Sequence, residues 1–365
     1  MMIAEGKLEF EVTWDGKRIT GVSMHSTRPV TASSVLEGKP VEEVLRWVPL
    51  LFSVCRRAQS VAAAVAIEAA RGLRASEDTQ LARERAIAAE CLQEYCWRVL
   101  IDLPALLGEA ARPGELADLR RRIAVADDAF KWDDVATAAE ELLERAVFDM
   151  APQAWLKLRP AALEAWLARG ESPTPRMLAR LRRLRLGGEF GLLPWLGEAD
   201  LTGLAVRLES ADFARRPTWQ GRPAETGALA RQHAHPAVAR EAGRHGATVA
   251  VRLLARLIEL AQLPEQVRAA RARGIRSASL RPGAGIAAVE TARGTLLHRV
   301  DLVPGRIERY AIVAPTEWNF HPEGAFVRGL TGCPVKGEAE ARGAAGLMAH
   351  ALDPCVEYEV RVVHA

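Results

Sequence analysis

The sequence is poor in the features that mark the commonest functions. It holds five cysteines in 365 residues (Cys55, Cys91, Cys96, Cys333 and Cys355). The number is odd, the positions are scattered, and none forms a CxxC pair, so the usual zinc and redox signatures are missing. Residues 58–67 and 343–352 are the longest runs without Asp, Glu, Lys or Arg, about ten residues each. A spanning helix needs ~20, so no membrane insertion is expected. The N-terminus lacks a basic stretch followed by an apolar one, so no secretory leader is expected. With unpaired cysteines, this fits a reducing cytoplasm. Lys and Arg total 49 against 46 Asp and Glu, a net charge of +3. That is too small to drive nucleic-acid binding. There is no GxxxxGK[ST] and no strand-linked GxGxxG, which removes the common nucleotide sites.

What is present is ample apolar material, 49% of the chain, enough for a sizeable core. Leu8, Phe10 and Val12 alternate with polar neighbours, Asp15-Gly16 offers a two-residue turn, and Ile19, Val22 and Met24 continue a return strand. Pro40 opens a helical stretch over 41–72 that Pro49 is expected to break or bend. From about 77 to 263 the chain reads as successive helices. The clearest apolar stripe lies at Val249, Leu253, Leu257 and Leu260. After Ser277, β-like pieces appear at 286–289, 296–300 and Arg306–Val313. Strands at both ends with helices between predict a mostly helical α+β fold with its termini together, in one domain over 1–365.

Some segments combine residues unusually. Cys55 lies in Leu51-Phe52-Ser53-Val54-Cys55-Arg56-Arg57-Ala58-Gln59, and Cys355 in Leu352-Asp353-Pro354-Cys355-Val356-Glu357-Tyr358. A free cysteine is commonly a small buried hydrophobe, and spacing alone gives neither a role. Cys91 and Cys96 fall on different faces of one helical stretch and read as core. Glu290-Thr291-Ala292-Arg293-Gly294-Thr295-Leu296-Leu297-His298 reads plainly as a turn and a strand, with Arg293 paired to a carboxylate such as Glu290. Pro315-Thr316-Glu317-Trp318-Asn319-Phe320-His321-Pro322-Glu323-Gly324 reads as a structured loop with Asn319 capping its turn. The basic amphipathic run 176–185 reads as a solvated helix face, with partner docking as the minority reading.

Together these segments resemble the large subunit of nickel–iron hydrogenases, with its CGxC motif and following histidine, EAPRGxLxH, PTxWN and terminal DPCxxCxxH. The order and placement match at 52–55, 290–298, 315–319 and 353–355, although the helical middle is much shorter. The departures are specific. Phe52 and Tyr358 stand where the enzyme has its other two cysteines, Gln59 where it has a histidine, and Arg361 where it has the final histidine. Two thiolates are too few for the four-sulfur nickel site, so no nickel and no dihydrogen cleavage are expected. With the chain ending at His364-Ala365, no tail for a maturation protease is expected either.

The segments 35–40, 48–55 and 318–324 are similar to a non-enzymatic paralogous group, the hydrogenase expression/formation proteins of the HupK/HoxV type. This resemblance implies an accessory scaffold for hydrogenase maturation. It would hold or assemble the iron fragment, with its cyanide and carbon monoxide ligands, and pass it to the large subunit. Cys55 and Cys355 are the implied metal ligands, and Arg293 and His298 the implied groups around the bound fragment. Asp353 is expected to hydrogen-bond the turn that presents Cys355, and Glu323 to face solvent. The implied partners are maturation chaperones and the large-subunit precursor. The alternatives are a metal-free large-subunit mimic that binds chaperones, and a degenerate redox enzyme with a single metal.

Overall fold

The computed structural model describes residues 6–28, 30–126, 128–169, 171–270 and 274–365. Strand β1 (Leu8–Trp14) buries Leu8, Phe10 and Val12 and leaves Glu11 exposed, the alternation of a half-buried strand. It pairs antiparallel with β2 (Ile19–Ser26). The expected two-residue turn is a four-residue loop, because Trp14 pairs with Ile19. The Asp15 carboxylate accepts the backbone N–H groups of Lys17 and Arg18, each at 2.9 Å, and this local bonding sets the longer turn.

Helix α1 (Val41–Leu51) carries Pro49 inside it without breaking there. The chain turns afterwards, at Phe52 (φ −124°, ψ 67°), through a short 3-10 turn, Ser53–Cys55, into α2 (Arg56–Ala70). The two helical segments bend by 99°, which sets Cys55 at the N-cap position of α2. Helix α3 (Glu77–Trp97) follows, capped by the Ser76 hydroxyl on Thr79 N–H.

The basic run lies in the Pro173–Leu184 helix, whose Met177, Leu178 and Leu181 are buried. Arg180 donates to the Leu107 carbonyl (2.7 Å), and Arg182 pairs with Glu164 and Glu241 (2.8 and 3.1 Å). The Val249–Ala269 helix has more than the one stripe read from its sequence. It is buried on nearly every face, with Arg252, Arg256 and Glu259 included. Arg252 tolerates burial because Glu225 grips it at two points, 2.8 and 2.6 Å.

The four strands β3 (Ile275–Arg281), β4 (Ala284–Thr291), β5 (Gly294–Val303) and β6 (Arg306–Val313) form an antiparallel meander. Helix α2 lies flat on it. A Cβ at Gly285 would sit 2.4 Å from Ala70 N and 2.5 Å from Ala66 O, so glycine on β4 lets the helix backbone approach. The chain closes with the Pro315–Asn319 and Glu338–Leu352 helices and β7 (Tyr358–His364). Strand β7 pairs in parallel with β1, Leu8 opposite Tyr358 and Trp14 opposite His364. The two ends of the chain therefore meet, as expected, but through β7, which the sequence reading did not mark, while the strands read at 286–313 belong to the separate meander. The fold is α+β. No single helix among the described residues is long and apolar enough to cross a membrane.

Candidate functional site

Cys55 and Cys355, 300 positions apart in sequence, face one site. Each is a free thiol. The two sulfurs lie within electrostatic reach of each other, and Arg28 and Arg293 feel both. The bend after Phe52 delivers Cys55. Its side chain does not cap α2, because Glu90 of α3 does so instead, accepting from Arg57 N–H (2.8 Å) and Ala58 N–H (3.2 Å). The Cys55 sulfur is thereby left for other partners. Burial, together with Cys355 and Glu90, pushes its thiol up to about 12, against the opposing pull of Arg293 and Gln59. Glu90 is itself raised to about 7, chiefly by burial.

Behind Cys55 runs a buried chain of hydrogen bonds. Gln59 Nε2 points at Cys55 Sγ at 3.6 Å. His298 Nε2 and Gln59 Oε1 are 2.8 Å apart, as are His298 Nδ1 and Tyr310 Oη. Since Gln59 presents its carbonyl oxygen, Nε2 carries the imidazole proton and Nδ1 accepts from the tyrosine. Burial holds His298 down to about 3, so it is neutral. His298 thus acts on Cys55 at one remove, through Gln59, and makes no approach to the sulfur itself. The i, i+4 spacing of Cys55 and Gln59 is the sequence signal that pairs them.

Cys355 is positioned by Thr316. The Thr316 hydroxyl donates to Sγ at 3.2 Å and accepts the Cys355 N–H at 3.2 Å. Upstream, Asp353 ends the Glu338–Leu352 helix in a left-handed conformation (φ 58°) that turns the chain back toward the site. Its backbone caps the helix as expected, with the N–H donating to the Ala349 carbonyl at 2.8 Å, while its side chain does something else. Asp353 is a buried charge hub. Arg98 Nη2 and Arg293 Nε lie 2.8 and 3.3 Å from Oδ1, and Arg256 Nη2 lies 3.7 Å from Oδ2. Burial disfavours its charge, yet the three guanidiniums hold the carboxyl well below the usual range.

Arg293 is 5% exposed. The carboxylate named from sequence for it, Glu290, pairs instead with Arg231 and Arg276 (2.9 and 2.6 Å). Arg293 pairs with Glu94 of α3 (2.6 Å) and with Asp353. These acids, with the two sulfurs, keep it charged despite burial. Its backbone is fixed by Asn319, which caps no turn of its own. Asn319 Nδ2 donates to the carbonyls of Arg293 (3.2 Å) and Leu352 (3.1 Å), and Oδ1 accepts Thr226 N–H (2.9 Å). One side chain therefore ties the arginine turn to the segment that carries Cys355. The plain loop reading of 315–324 is corrected too, since Pro315–Asn319 is a short helix that presents Thr316 and Glu317.

Arg28, just past β2, carried no sequence signal. It meets Glu317 through Nη1, and both side chains are largely buried. His321 closes a local turn by accepting Glu323 N–H (3.1 Å), with Glu323 exposed. Cys333 packs beside β2, its carbonyl accepting Ile19 N–H at 2.9 Å. Cys96 is core, and Cys91 packs partly buried against the same cluster. Among the described residues, no three His, Cys, Asp or Glu side chains gather to hold a metal ion.

The positions that resemblance assigns to the other two thiolates are filled by packing. Phe52 is half-buried against the cluster under α1 and α2. Tyr358 opens β7 and tilts against Phe10, ring centroids 5.6 Å apart. Arg361 lies on an exposed strand, 3.6 Å from Glu11.

Residues 232–360 match the family model described as nickel-dependent hydrogenase. In structure the chain is similar to the Ni-Fe-Se hydrogenase of Desulfomicrobium baculatum in a reduced, active form, with TM-score 0.65 and 14% identity over 94% of this chain and 95% of that one. The Ni-Fe-Se hydrogenase of D. vulgaris Hildenborough gives 0.64, at 14% identity over 94% and 95%. At such identity the likeness concerns the fold. In sequence it is 34% identical to the hydrogenase expression/formation protein HupK of Azotobacter vinelandii over 99% of both chains. It is 32% identical to HupV of A. chroococcum mcd 1, also over 99% of both. It is 33% identical to HoxV of Cupriavidus necator over 91% of both. With 32–34% identity to these relatives over 91% or more of the chain, it belongs to the family of hydrogenase expression/formation proteins.

Proposed function

We propose that this protein is an accessory factor of nickel–iron hydrogenase maturation, and that its cargo is the iron fragment with cyanide and carbon monoxide ligands. The relatives' shared description as hydrogenase expression/formation proteins supports the general role. The observation that carries the finer one is the convergence of Cys55, Cys355 and Arg293 on one buried site. Thiolates suit iron, and the diatomic ligands fill the coordination positions that the protein leaves open. A buried guanidinium with permanent charge and planar donors suits a cyanide nitrogen.

The protonation state of the site supports reversible loading. Before a cation binds, the Cys55 thiol, pushed up to about 12 chiefly by burial, carries its proton. Binding a cation requires the thiolate, so loading releases protons, and reprotonation favours release. Gln59, braced by His298 and Tyr310, holds the sulfur in place through both states. Two thiolates retain iron less tightly than four. Transfer to a large-subunit precursor with its full set of cysteines therefore runs downhill, which makes that precursor, and the chaperones that feed the fragment in, the partners of this reading.

Infrared spectroscopy of protein purified anaerobically from hydrogenase-producing cells tests it. The reading expects stretching bands of metal-bound cyanide and carbon monoxide, absent from Cys55→Ala and Cys355→Ala variants. A band-free wild type, together with unchanged capture of maturation chaperones by both variants, would instead identify a metal-free mimic.

A further inference from the structure

The site holds a second guanidinium that neither the sequence motifs nor the proposed function employs. Arg28 lies beyond the end of β2, in a segment unrelated to the four motifs, yet both sulfurs act on it electrostatically. It is bonded to Glu317 through Nη1 alone. A guanidinium and a carboxylate left to themselves pair through two parallel hydrogen bonds. Here the second bond is missing. Arg28 Nε and Glu317 Oε2 are both buried and have no hydrogen-bond partner among the described residues. Arg293 shows the same incompleteness. Its Nε lies 3.3 Å from Asp353 Oδ1 without the alignment of a hydrogen bond, and it too is buried and unpartnered.

Buried donors seek partners, and these two belong to the arginines on which both sulfurs act. The surrounding charges balance: Arg28, Arg98, Arg256 and Arg293 stand against Glu94, Asp102, Glu317 and Asp353.

We propose that Arg28 is a second anion-binding group of this site, with Nε donating to one small anionic ligand on the thiol-held metal while Arg293 serves another. Glu317 is its positioning residue, acting through the bond to Nη1. The inference rests on the cargo reading above and adds to it: the bound fragment presents two anionic acceptors, each met by its own arginine, from opposite ends of the chain.

The test compares infrared spectra of the iron-loaded full-length protein and its variants. Arg28→Gln is expected to move one cyanide band and leave the other in place. Arg293→Gln is expected to move the other. Glu317→Gln, which keeps Arg28 but removes the charge that positions it, is expected to move the same band as Arg28→Gln. That variant keeps the test sound should Arg28→Gln load poorly. Wild-type cyanide bands that disappear with either cysteine, but that Arg28→Gln and Glu317→Gln leave unmoved, overturn the role of Arg28 and spare the cargo reading. A wild type without cyanide bands overturns both.

Discussion

Thr316 and Cys355 are bonded in both directions. The threonine hydroxyl donates to the sulfur and accepts the cysteine's own backbone N–H, each at 3.2 Å. A single oxygen thus fixes both the backbone and the side chain of the residue proposed to grip the cargo. Thr316→Val keeps the shape and removes the oxygen. The Cys355 N–H then loses its partner, so the fold should weaken by about 1–2 kcal/mol. Iron retained after anaerobic gel filtration should fall much further than that loss of stability explains. Thermal melts and iron analysis of the same samples check both halves.

Asp353 balances three arginines inside the protein. Asp353→Asn leaves their charges facing one another with no carboxylate between them. Removing one member of a buried ionic cluster costs about 3–5 kcal/mol. Chemical denaturation should show a loss of that order. The segment after the Glu338–Leu352 helix should also become more open to proteolysis.

Stability should fall as the solution is acidified below about pH 6.5. Burial lowers both His298 and His350 to about 3 in the fold. Each is therefore neutral when folded and takes up a proton on unfolding below its ordinary value. The unfolded state binds more protons, so stability is full above pH 6.5 and is lost progressively toward pH 3, by ~1.4 kcal/mol per pH unit for each histidine. Glu90 works the other way. Raised to about 7, it binds its proton more firmly in the fold and favours folding below its ordinary value of ~4.3, an advantage lost as pH rises to 7. Two histidines outweigh one carboxyl between pH 5 and 6.5, so the net slope favours neutral pH. Glu90→Gln should raise stability at pH 8 and leave it nearly unchanged at pH 4.

Gly294 follows Arg293 with φ at 132°, and a Cβ there would lie 2.3 Å from the Thr226 side chain. Gly294→Ala therefore combines backbone strain with a clash in the turn that aims the arginine. It should cost about 2 kcal/mol or more. Gly305, at φ 73° with open space around it, should lose only about 1 kcal/mol on the same change. Paired melts of the two variants separate the clash from the strain.

The strands were legible where burial is one-sided or residues are β-branched, as in β1 and Arg306–Val313. Strand β7 carries the same alternation, Tyr358, Val360 and Val362 half-buried against exposed Glu359 and Arg361, and was passed over because the segment was read for its cysteine motif. The break after α1 was displaced from Pro49 to Phe52. A proline near the end of a helix forfeits little of its bonding, and Phe52 N–H still reaches the Val48 carbonyl at 3.1 Å. At the site, the motifs named Cys55, Cys355 and Arg293. Gln59 was visible only as a departure from the family, although helical spacing places it beside Cys55. Arg28 and Glu94 could not be found from sequence, because the nearness of Arg28 to the sulfurs and of Glu94 to Arg293 exists only once β2 and α3 are folded around the site. The partner of Arg293 was misassigned for the same reason: the nearby Glu290 was assumed where the fold supplies the distant Glu94 and Asp353.

Everything proposed for this protein depends on one iron atom held between Cys55 and Cys355. X-ray absorption at the iron edge, on anaerobically loaded protein, measures that directly. The account predicts two sulfur neighbours per iron in the wild type and no iron retained by either single cysteine-to-alanine variant. An iron with no sulfur neighbour, or one whose sulfur count is the same with and without either residue, would contradict it.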